Sequence, residues 1–191
     1  MARTGLPGRY AGTLFRSHLE ARWAIFFDYL ELKWEYEPQG FDLGDGTAYL
    51  PDFAVFAAGG TLWAEVKPEW DADPEGVEKW RRFAAARPQP SRAVLLIGPP
   101  SQDGEHVVIG GDDTAPDPLK GPWEDSGQVW RPCPDGRHFD LAWPGKSWTR
   151  FPDDGCPDHF GADGVERIKA AAEAALSHRF GRFTPPPAGR Q

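Results

Sequence analysis

The sequence predicts an α/β (α+β) fold in which helices flank a mixed central sheet. Apolar residues recur at three- and four-residue steps over 15–30, as in an amphipathic helix. Strand-like segments separated by glycine turns follow this helix and predict an antiparallel meander. A second helical segment then leads into the apolar run 93–98. A helix before a strand buried on both faces indicates a crossover to a parallel neighbour.

The first helix is predicted to begin near Thr13, with Glu20 in its interior. The apolar positions that support this start are Phe15, Leu19, Trp23, Phe26, Phe27 and Leu30. Glu20 lies at the edge of this apolar stripe, where its carboxylate can reach a site over the sheet. The alternative is a capping box, because Ser17-x-x-Glu20 fits that pattern and would give Glu20 a structural role.

Three strands are predicted to form the meander. Residues 32–36 alternate apolar and charged side chains, and a glycine turn at 44–46 precedes a second strand at 48–56. The pair Gly59-Gly60 then returns the chain into a third strand at 61–67, as expected for a hairpin.

The second helix is predicted to begin with Asp73 as its N-cap and Pro74 as its first residue, and to end before Pro88. The residues that should face inward are Val77, Trp80, Phe83 and Ala84.

Three charged residues of the predicted meander are candidates for a chemical role. Asp52 lies in the second strand, and Glu65 and Lys67 lie two residues apart in the third. Since residues i and i+2 of a strand point to the same face, Glu65 and Lys67 should emerge side by side while Ala64 and Val66 face the core. The structural alternatives are a turn role for Asp52 and a solvated strand face for the other two.

Asp52 and Glu65 can supply hard carboxylate oxygens to Mg²⁺, which binds through one or two carboxylates and keeps several waters. An ammonium group such as that of Lys67 beside a metal-held water suits phosphodiester hydrolysis. The metal activates the nucleophile, and the cation stabilises the charge that develops.

The pattern Pro51-Asp52…Glu65-x-Lys67 resembles the motif of the PD-(D/E)xK nuclease superfamily, whose core is restriction-endonuclease-like. The resemblance covers residues 10–100, and the segments around Glu20 and Trp34 are similar to a phage- and transposon-associated endonuclease branch.

This resemblance implies a Mg²⁺- or Mn²⁺-dependent DNA endonuclease, with DNA as partner and room for a homodimer or another protein partner. It implies that Asp52 and Glu65 bind metal, that Glu20 supplies a further carboxylate, and that Lys67 assists catalysis. The alternatives are a non-catalytic nucleic-acid- or protein-binding module on the same fold and a recombination-type exonuclease.

The formal net charge of −8 argues against a protein that coats nucleic acid non-specifically, because phosphate contacts supply most of such affinity. It does not exclude a nuclease. Basic residues are concentrated within 3–22 and again within 79–92. Those within 79–92 form either a DNA contact or a solvated helix face.

No apolar run approaches the roughly 18 residues of a membrane span, and the N-terminus lacks the apolar core of a signal peptide. We therefore expect no membrane partner and a cytoplasmic location in a bacterial or phage-infected host cell.

The chain is predicted to divide into a nuclease core at 1–100, an extension at 101–183 and a disordered Pro-rich tail at 184–191. The extension is loop-rich, with its own apolar set and a terminal helix at 163–180. The apolar face of that helix should comprise Val165, Ile168, Ala172, Ala175 and Leu176. Its conspicuous tryptophans form either a small core or a surface that stacks on bases: Trp123, Trp130, Trp143 and Trp148.

Four residues of the extension match a degenerate zinc-knuckle pattern, C-x4-H…C-x2-H. They are Cys133, His138, Cys156 and His159. Two cysteines and two histidines can close a tetrahedral structural Zn²⁺ site, which would add folding energy to a segment with little core. The alternative is two free buried cysteines and two surface histidines.

If these four residues bind zinc, protein purified without added metal should contain about one zinc per chain, and chelation should loosen residues 123–160 while the core at 1–100 stays folded. Elemental analysis checks the first expectation and limited proteolysis with a chelator the second. Zinc-free protein in which both cysteines react rapidly with a thiol reagent would contradict the zinc hypothesis.

Overall fold

The computed structural model describes residues 5–57, 60–69, 72–86, 91–101, 105–110, 128–132, 139–142 and 162–181. Within these residues the chain is mixed α+β with a mixed sheet, which confirms the predicted fold class. Its helices are α1 (His18–Tyr29), α2 (Pro74–Ala86) and α3 (Ala162–Ser177). Its strands are β1 (Gly8–Tyr10), β2 (Thr13–Phe15), β3 (Lys33–Tyr36), β4 (Phe41–Asp42), β5 (Ala48–Tyr49), β6 (Phe53–Ala57), β7 (Gly60–Lys67), β8 (Arg92–Ile97), β9 (Glu105–Gly110), β10 (Gln128–Pro132) and β11 (Phe139–Ala142).

A seven-stranded mixed sheet forms the centre, with the strand order β11-β10-β9-β8-β7-β6-β3. The strands β3, β6 and β7 are antiparallel neighbours, which confirms the predicted meander. The strands β7 and β8 run parallel, from the pair Leu62 and Arg92 to the pair Lys67 and Ile97. The helix α2 is therefore the crossover between them, as predicted.

The first helix begins later than predicted. Ser17 is its N-cap and His18 its first residue, while Thr13 belongs to β2, which pairs with β1. The turn of that hairpin uses Gly12 at φ 84°, a conformation that costs glycine little. The predicted start near Thr13 is wrong because Phe15, although buried and in phase with the helix, reaches the core from a strand.

The predicted strand 48–56 is two strands with a break between them. The strand β5 pairs with β4 in a small sheet of its own, whereas β6 enters the central sheet. The break contains Pro51, which has no N–H to donate to a strand ladder. It leaves Asp52 immediately before β6.

The central sheet buries apolar side chains on both faces. One face packs with α1 and α3 around Trp23, Phe53 and Val66, and the other packs with α2 around Trp80 and Leu95. Ala64 also lies in the first cluster, so the predicted inward orientation of Ala64 and Val66 is confirmed.

The terminal helix α3 shares the core of the first hundred residues. Ile168, Ala172 and Ala175 pack in the cluster formed with α1. The side chain of Arg22 on α1 donates hydrogen bonds to the backbone carbonyl oxygens of Ala175 and Leu176. The expected separate apolar set is therefore wrong for α3, and so is the inward position of Leu176, which is exposed.

The helix α2 follows its prediction closely. Its first residue is Pro74, and the Asp73 carboxylate accepts a hydrogen bond from the Gly76 N–H at 3.0 Å, as an N-cap does. The predicted inward residues Val77, Trp80, Phe83 and Ala84 are all buried.

In the part of the chain that the structure describes, no helix is long and apolar enough to cross a membrane. The tail at 184–191 lies outside the described residues, and so do Trp123, Trp143 and Trp148. Trp130 lies in β10.

Candidate carboxylate and lysine site

Three buried carboxylates lie at one end of the strands of the central sheet, where β6 begins and β7 ends. In the antiparallel register of these strands Phe53 pairs with Ala64, and continuing it by one residue brings Asp52 opposite Glu65. Glu20 joins them from the first turn of α1. Asp52, Glu65 and Glu20 are only 3%, 7% and 8% exposed. Buried acids of this kind cost free energy unless charges or hydrogen bonds compensate them.

Asp52 is held between the backbone of β7 and a cation. One carboxylate oxygen, Oδ2, accepts a hydrogen bond from the Val66 N–H at 2.8 Å. The other, Oδ1, lies 2.5 Å from the Arg16 guanidinium, which also contacts Glu37 at 2.9 Å. Burial raises the pKa of Asp52 well above its ordinary value, and the charges of Glu65 and Glu20 raise it further. The Val66 N–H and Arg16 act in the opposite direction.

Arg16 supplies a positive charge to the acidic site from the solvent side. Burial disfavours its charged form and acts to lower the pKa of the guanidinium, but the charges of Asp52 and Glu37 and the contact with Tyr36 together outweigh burial and raise this pKa. Its side chain is 59% exposed, while Asp52 is almost inaccessible. The cation therefore reaches a buried acid from the solvent side.

Glu65 has two partners of different chemistry. Its Oε2 accepts a hydrogen bond from the Tyr49 hydroxyl at 2.9 Å, and its Oε1 lies 2.9 Å from the Lys67 ammonium. Burial, followed by the Glu65 charge, raises the pKa of Tyr49, so this phenol stays protonated and remains a donor. The expected side-by-side emergence of Glu65 and Lys67 is confirmed.

Lys67 is enclosed between two acids. Its ammonium also contacts the Asp73 carboxylate at 2.8 Å, and its side chain is only 13% exposed. Burial acts to lower the pKa of Lys67, but the charge of Glu65 and the bond to Asp73 outweigh it, so the net shift is upward. The hydrogen bond from Lys67 lowers the pKa of Asp73. The site therefore holds a fixed cation beside Glu65.

Glu20 combines a capping role with a place in the carboxylate cluster. The Ser17 hydroxyl accepts a hydrogen bond from the Glu20 N–H at 3.1 Å and donates one to the carboxylate at 2.7 Å. The Arg16 N–H and the Tyr36 hydroxyl also donate to Glu20, at 3.1 and 2.6 Å. Ser17 is therefore the N-cap of α1 and Glu20 lies in its first turn, as the capping interpretation places them, although the carboxylate accepts the Arg16 N–H and not the Ser17 N–H of a full capping box. The predicted interior position of Glu20 is wrong. Glu20 still lies close enough to Asp52 for its negative charge to raise the pKa of Asp52.

The sequence pattern assigned no site role to four residues that contact the carboxylates or Lys67. Arg16, Tyr36 and Tyr49 contact the carboxylates through a guanidinium and two hydroxyls, and Asp73 contacts Lys67 through a further carboxylate. The only relevant signal was position, since Arg16 and Tyr36 lie in the segments that carry the family resemblance. Nothing in the local pattern distinguishes Tyr49 or Asp73 as site residues.

Two of the buried carboxylates are suitable ligands for a divalent metal ion. Among the described residues, no three His, Cys, Asp or Glu side chains are grouped as a metal-holding cluster. Mg²⁺ does not require such a group, because it binds through one or two carboxylates and takes its other ligands from water and substrate phosphate. Asp52 and Glu65, two buried hard donors on opposed strands, fit that requirement. The three-carboxylate ligand set stays a prediction.

The basic residues of α2 are engaged in ion pairs along the helix surface. Lys79 contacts Glu75 at 2.7 Å, and Arg81 contacts Glu78 at 3.6 Å. This arrangement matches the solvated helix face that was one of the two interpretations. DNA contact by these residues stays a prediction.

The four residues of the zinc hypothesis, Cys133, His138, Cys156 and His159, lie outside the described residues.

No protein-family model matches this chain, and comparisons with curated proteins and with solved structures find no match either.

The raised pKa of Asp52 predicts how stability depends on pH. The ordinary pKa of Asp is about 3.9, so above this value the unfolded chain has released a proton that folded Asp52 still holds. Stability is therefore greatest below the unfolded pKa and falls as pH rises through the folded pKa. Asp52→Asn should remove this fall and raise the free energy of unfolding of the metal-free protein at pH 7.

Urea unfolding of metal-free protein at several pH values measures this effect. Asp45→Asn is the matched control, because Asp45 is solvent-exposed and hydrogen bonds from Thr47 and Arg82 lower its pKa. The control should keep the fall in stability with rising pH. A fall that persists unchanged in Asp52→Asn would show that Asp52 is not its source.

Proposed function

We propose that this protein is a Mg²⁺- or Mn²⁺-dependent DNA endonuclease of the PD-(D/E)xK type, built on a restriction-endonuclease-like core. The observation that carries the proposal is the burial of Asp52, Glu65 and Glu20 at one sheet edge with the Lys67 ammonium beside them. Grouped like charges with a strongly perturbed pKa are more frequent at functional sites than elsewhere.

The arrangement of elements supports the same proposal. The helix α1, the antiparallel meander, the crossover α2 and the parallel strand β8 follow in the order that the resemblance implies. The proposed motif lies where β6 and β7 meet at one sheet edge, so neighbouring strands supply Asp52 and Glu65.

The side chains can be given roles from their contacts. Asp52 and Glu65 would hold the metal, with Glu20 contributing directly or through water. Bound there, the metal would activate a water and stabilise charge on the phosphate. The Lys67 ammonium would stabilise developing negative charge, since it is held as a cation next to Glu65. Tyr49 orients Glu65 through its hydroxyl.

Arg16 competes for one of these ligands. Its guanidinium contacts Asp52 Oδ1, so that oxygen becomes available to a metal only when Arg16 moves away. The exposed part of the side chain gives it access to solvent, where a DNA phosphate is a suitable partner for a guanidinium. Arg16 would then exchange one anionic partner for another.

A non-catalytic binding module is the second candidate, and one observation favours it. Each buried carboxylate already has a partner: Arg16 for Asp52, Lys67 for Glu65 and Tyr36 for Glu20. Carboxylates compensated in this way do not need a metal ion to be accommodated in the fold.

DNA is the proposed partner of either candidate, and a homodimer or another protein is a further proposed partner. Structural zinc in the extension is a separate proposal.

Asp52→Ala and Glu65→Ala should each abolish cleavage of closed circular plasmid while the protein stays folded, because these carboxylates serve the metal and not the apolar core. The assay measures nicking and linearisation with Mg²⁺ or Mn²⁺, and circular dichroism checks folding. Glu78→Ala, on the surface of α2, is the matched control and should cleave normally.

The form of the substrate separates the candidate functions. An endonuclease cuts the closed circle, an exonuclease digests only linear DNA, and a binding module cuts neither. Full activity of Asp52→Ala would refute the assignment of the site.

Glu20→Gln tests whether Glu20 serves the metal as well as the helix cap. The amide keeps the shape and one acceptor oxygen but loses the charge, so Mn²⁺ affinity and cleavage should fall strongly. Unfolding should become easier by about 1 kcal/mol, because a hydrogen bond is lost. Titration calorimetry and urea unfolding measure the two effects.

Ser17→Ala is the matched control for Glu20→Gln. It removes the N-cap oxygen at a cost of about 1 kcal/mol and one donor to the Glu20 carboxylate, but it keeps the carboxylate charge and the hydrogen bonds from the Arg16 N–H and the Tyr36 hydroxyl. Its Mn²⁺ affinity should stay near that of the wild type. Equal losses of affinity in both variants would mean that Glu20 acts only through the helix.

A further inference from the structure

We propose that Asp73 is a positioning residue that holds the Lys67 ammonium at the site, and that Gly76 is required because any larger residue would displace this pair. The role of Lys67 in chemistry rests on the proposed nuclease function. The positioning itself is a property of the metal-free protein.

The two oxygens of the Asp73 carboxylate do different things. Oδ1 accepts the Gly76 N–H at 3.0 Å and caps α2, whereas Oδ2 contacts Lys67 Nζ at 2.8 Å. The cap fixes the position of the carboxylate, because Oδ1 is hydrogen-bonded to a backbone N–H of the first turn of α2. The second oxygen therefore presents a fixed acceptor to the end of β7.

Lys67 needs such an acceptor because its stem is long and flexible. Glu65 Oε1 holds the ammonium from one side at 2.9 Å, and Asp73 Oδ2 holds it from another. A lysine bound by a single carboxylate can rotate around that contact, whereas two acceptors restrict the position of Nζ. The pair of acids therefore defines one position for the cation.

Gly76 provides an independent observation. A Cβ at this position would overlap Asp73 Oδ2 and would lie 2.8 Å from Lys67 Nζ, so the Asp73 carboxylate and the Lys67 ammonium could not both keep their places. Glycine is a poor helix former, and its presence in the first turn of α2 has no benefit for the helix itself. The space that it leaves is the space that the ion pair occupies.

A neighbouring ion pair on the same helix shows what an ordinary surface contact looks like. Lys79 and Glu75 lie 2.7 Å apart, but their side chains are 38% and 81% exposed, against 13% for Lys67. Exposed pairs contribute little and exchange freely with water. Glu75→Gln is therefore a matched control that removes a carboxylate from the same helical turn.

Asp73→Ser and Asp73→Asn separate positioning from capping. Ser and Asn are good N-caps, so both variants keep α2 and should keep the thermal midpoint near that of the wild type. Ser cannot reach Lys67, and Asn presents a neutral amide to it. If Asp73 only capped the helix, both variants would behave like the wild type in every other measurement.

The first measurement is NMR of the ¹⁵N-labelled Lys67 ammonium in metal-free protein, assigned by its loss in Lys67→Arg. Ammonium protons held by two acceptors exchange slowly with water, so the wild type and Glu75→Gln should show the signal. Asp73→Ser and Asp73→Asn should lose it. An unchanged signal in Asp73→Ser would overturn the proposal.

The second measurement is plasmid cleavage with Mn²⁺. Both Asp73 variants should lower kcat about tenfold to a hundredfold, as expected when a catalytic group is misplaced by about 1 Å. KM and calorimetric Mn²⁺ affinity should stay near wild-type values, because Asp52 and Glu65 are untouched. A wild-type kcat in Asp73→Ser would also overturn the proposal.

Gly76→Ala tests the spatial requirement. Alanine should raise the thermal midpoint if the position were free, because it is the better helix former. We expect a lower midpoint, together with loss of the Lys67 ammonium signal. A stabilised Gly76→Ala protein with the signal intact would refute the requirement for glycine.

Failure of the two proposals can be told apart. If the wild type cuts no DNA while the ammonium signal depends on Asp73, the nuclease function is wrong and the positioning by Asp73 stands. If the wild type cuts DNA and both Asp73 variants match it in signal and kcat, the nuclease function stands and the positioning is wrong.

Discussion

The burial of Asp52 between the backbone of β7 and the Arg16 guanidinium is the constraint on which the rest of the site depends. A carboxylate that is 3% exposed and lies near two other acids is costly to ionise. The Val66 N–H and Arg16 offset part of that cost, and Lys67 offsets the charge of Glu65 in the same way. The charges of the metal-free site are thus only partly compensated, and a divalent cation would have to rearrange them.

The two helices that flank the site begin beside it, and the residues of their first turns serve both helix and site. The Glu20 carboxylate accepts the Ser17 hydroxyl and the Arg16 N–H at the start of α1 and adds a third carboxylate, while Asp73 caps α2 and binds Lys67. Acidic groups at helix N-termini are favoured by the helix dipole and by the free N–H groups there. One end of the sheet therefore collects acids for structural reasons, and the same acids are available to chemistry.

Local patterns predicted much of the fold because they depend on near neighbours. Asp73 and Pro74 marked the start of α2, the glycine pair marked a hairpin, and the apolar run 93–98 marked a strand beside a parallel neighbour. The same reasoning misplaced the start of α1, since Phe15 continued the helical spacing from within β2. Periodicity cannot show whether a buried aromatic side chain enters the core from a helix or from a strand.

The sequence alone determined that Asp52, Glu65 and Lys67 would stand together, because strand alternation and a hairpin relate residues that are close in the chain. Only the tertiary structure decided their partners. Arg16 meets Asp52 across 36 residues, and Tyr49 meets Glu65 across 16, through contacts that no local pattern encodes. Such contacts arise when helices, hairpins and loops pack at one end of the sheet, and they give each carboxylate of the site its hydrogen-bond or ion-pair partner.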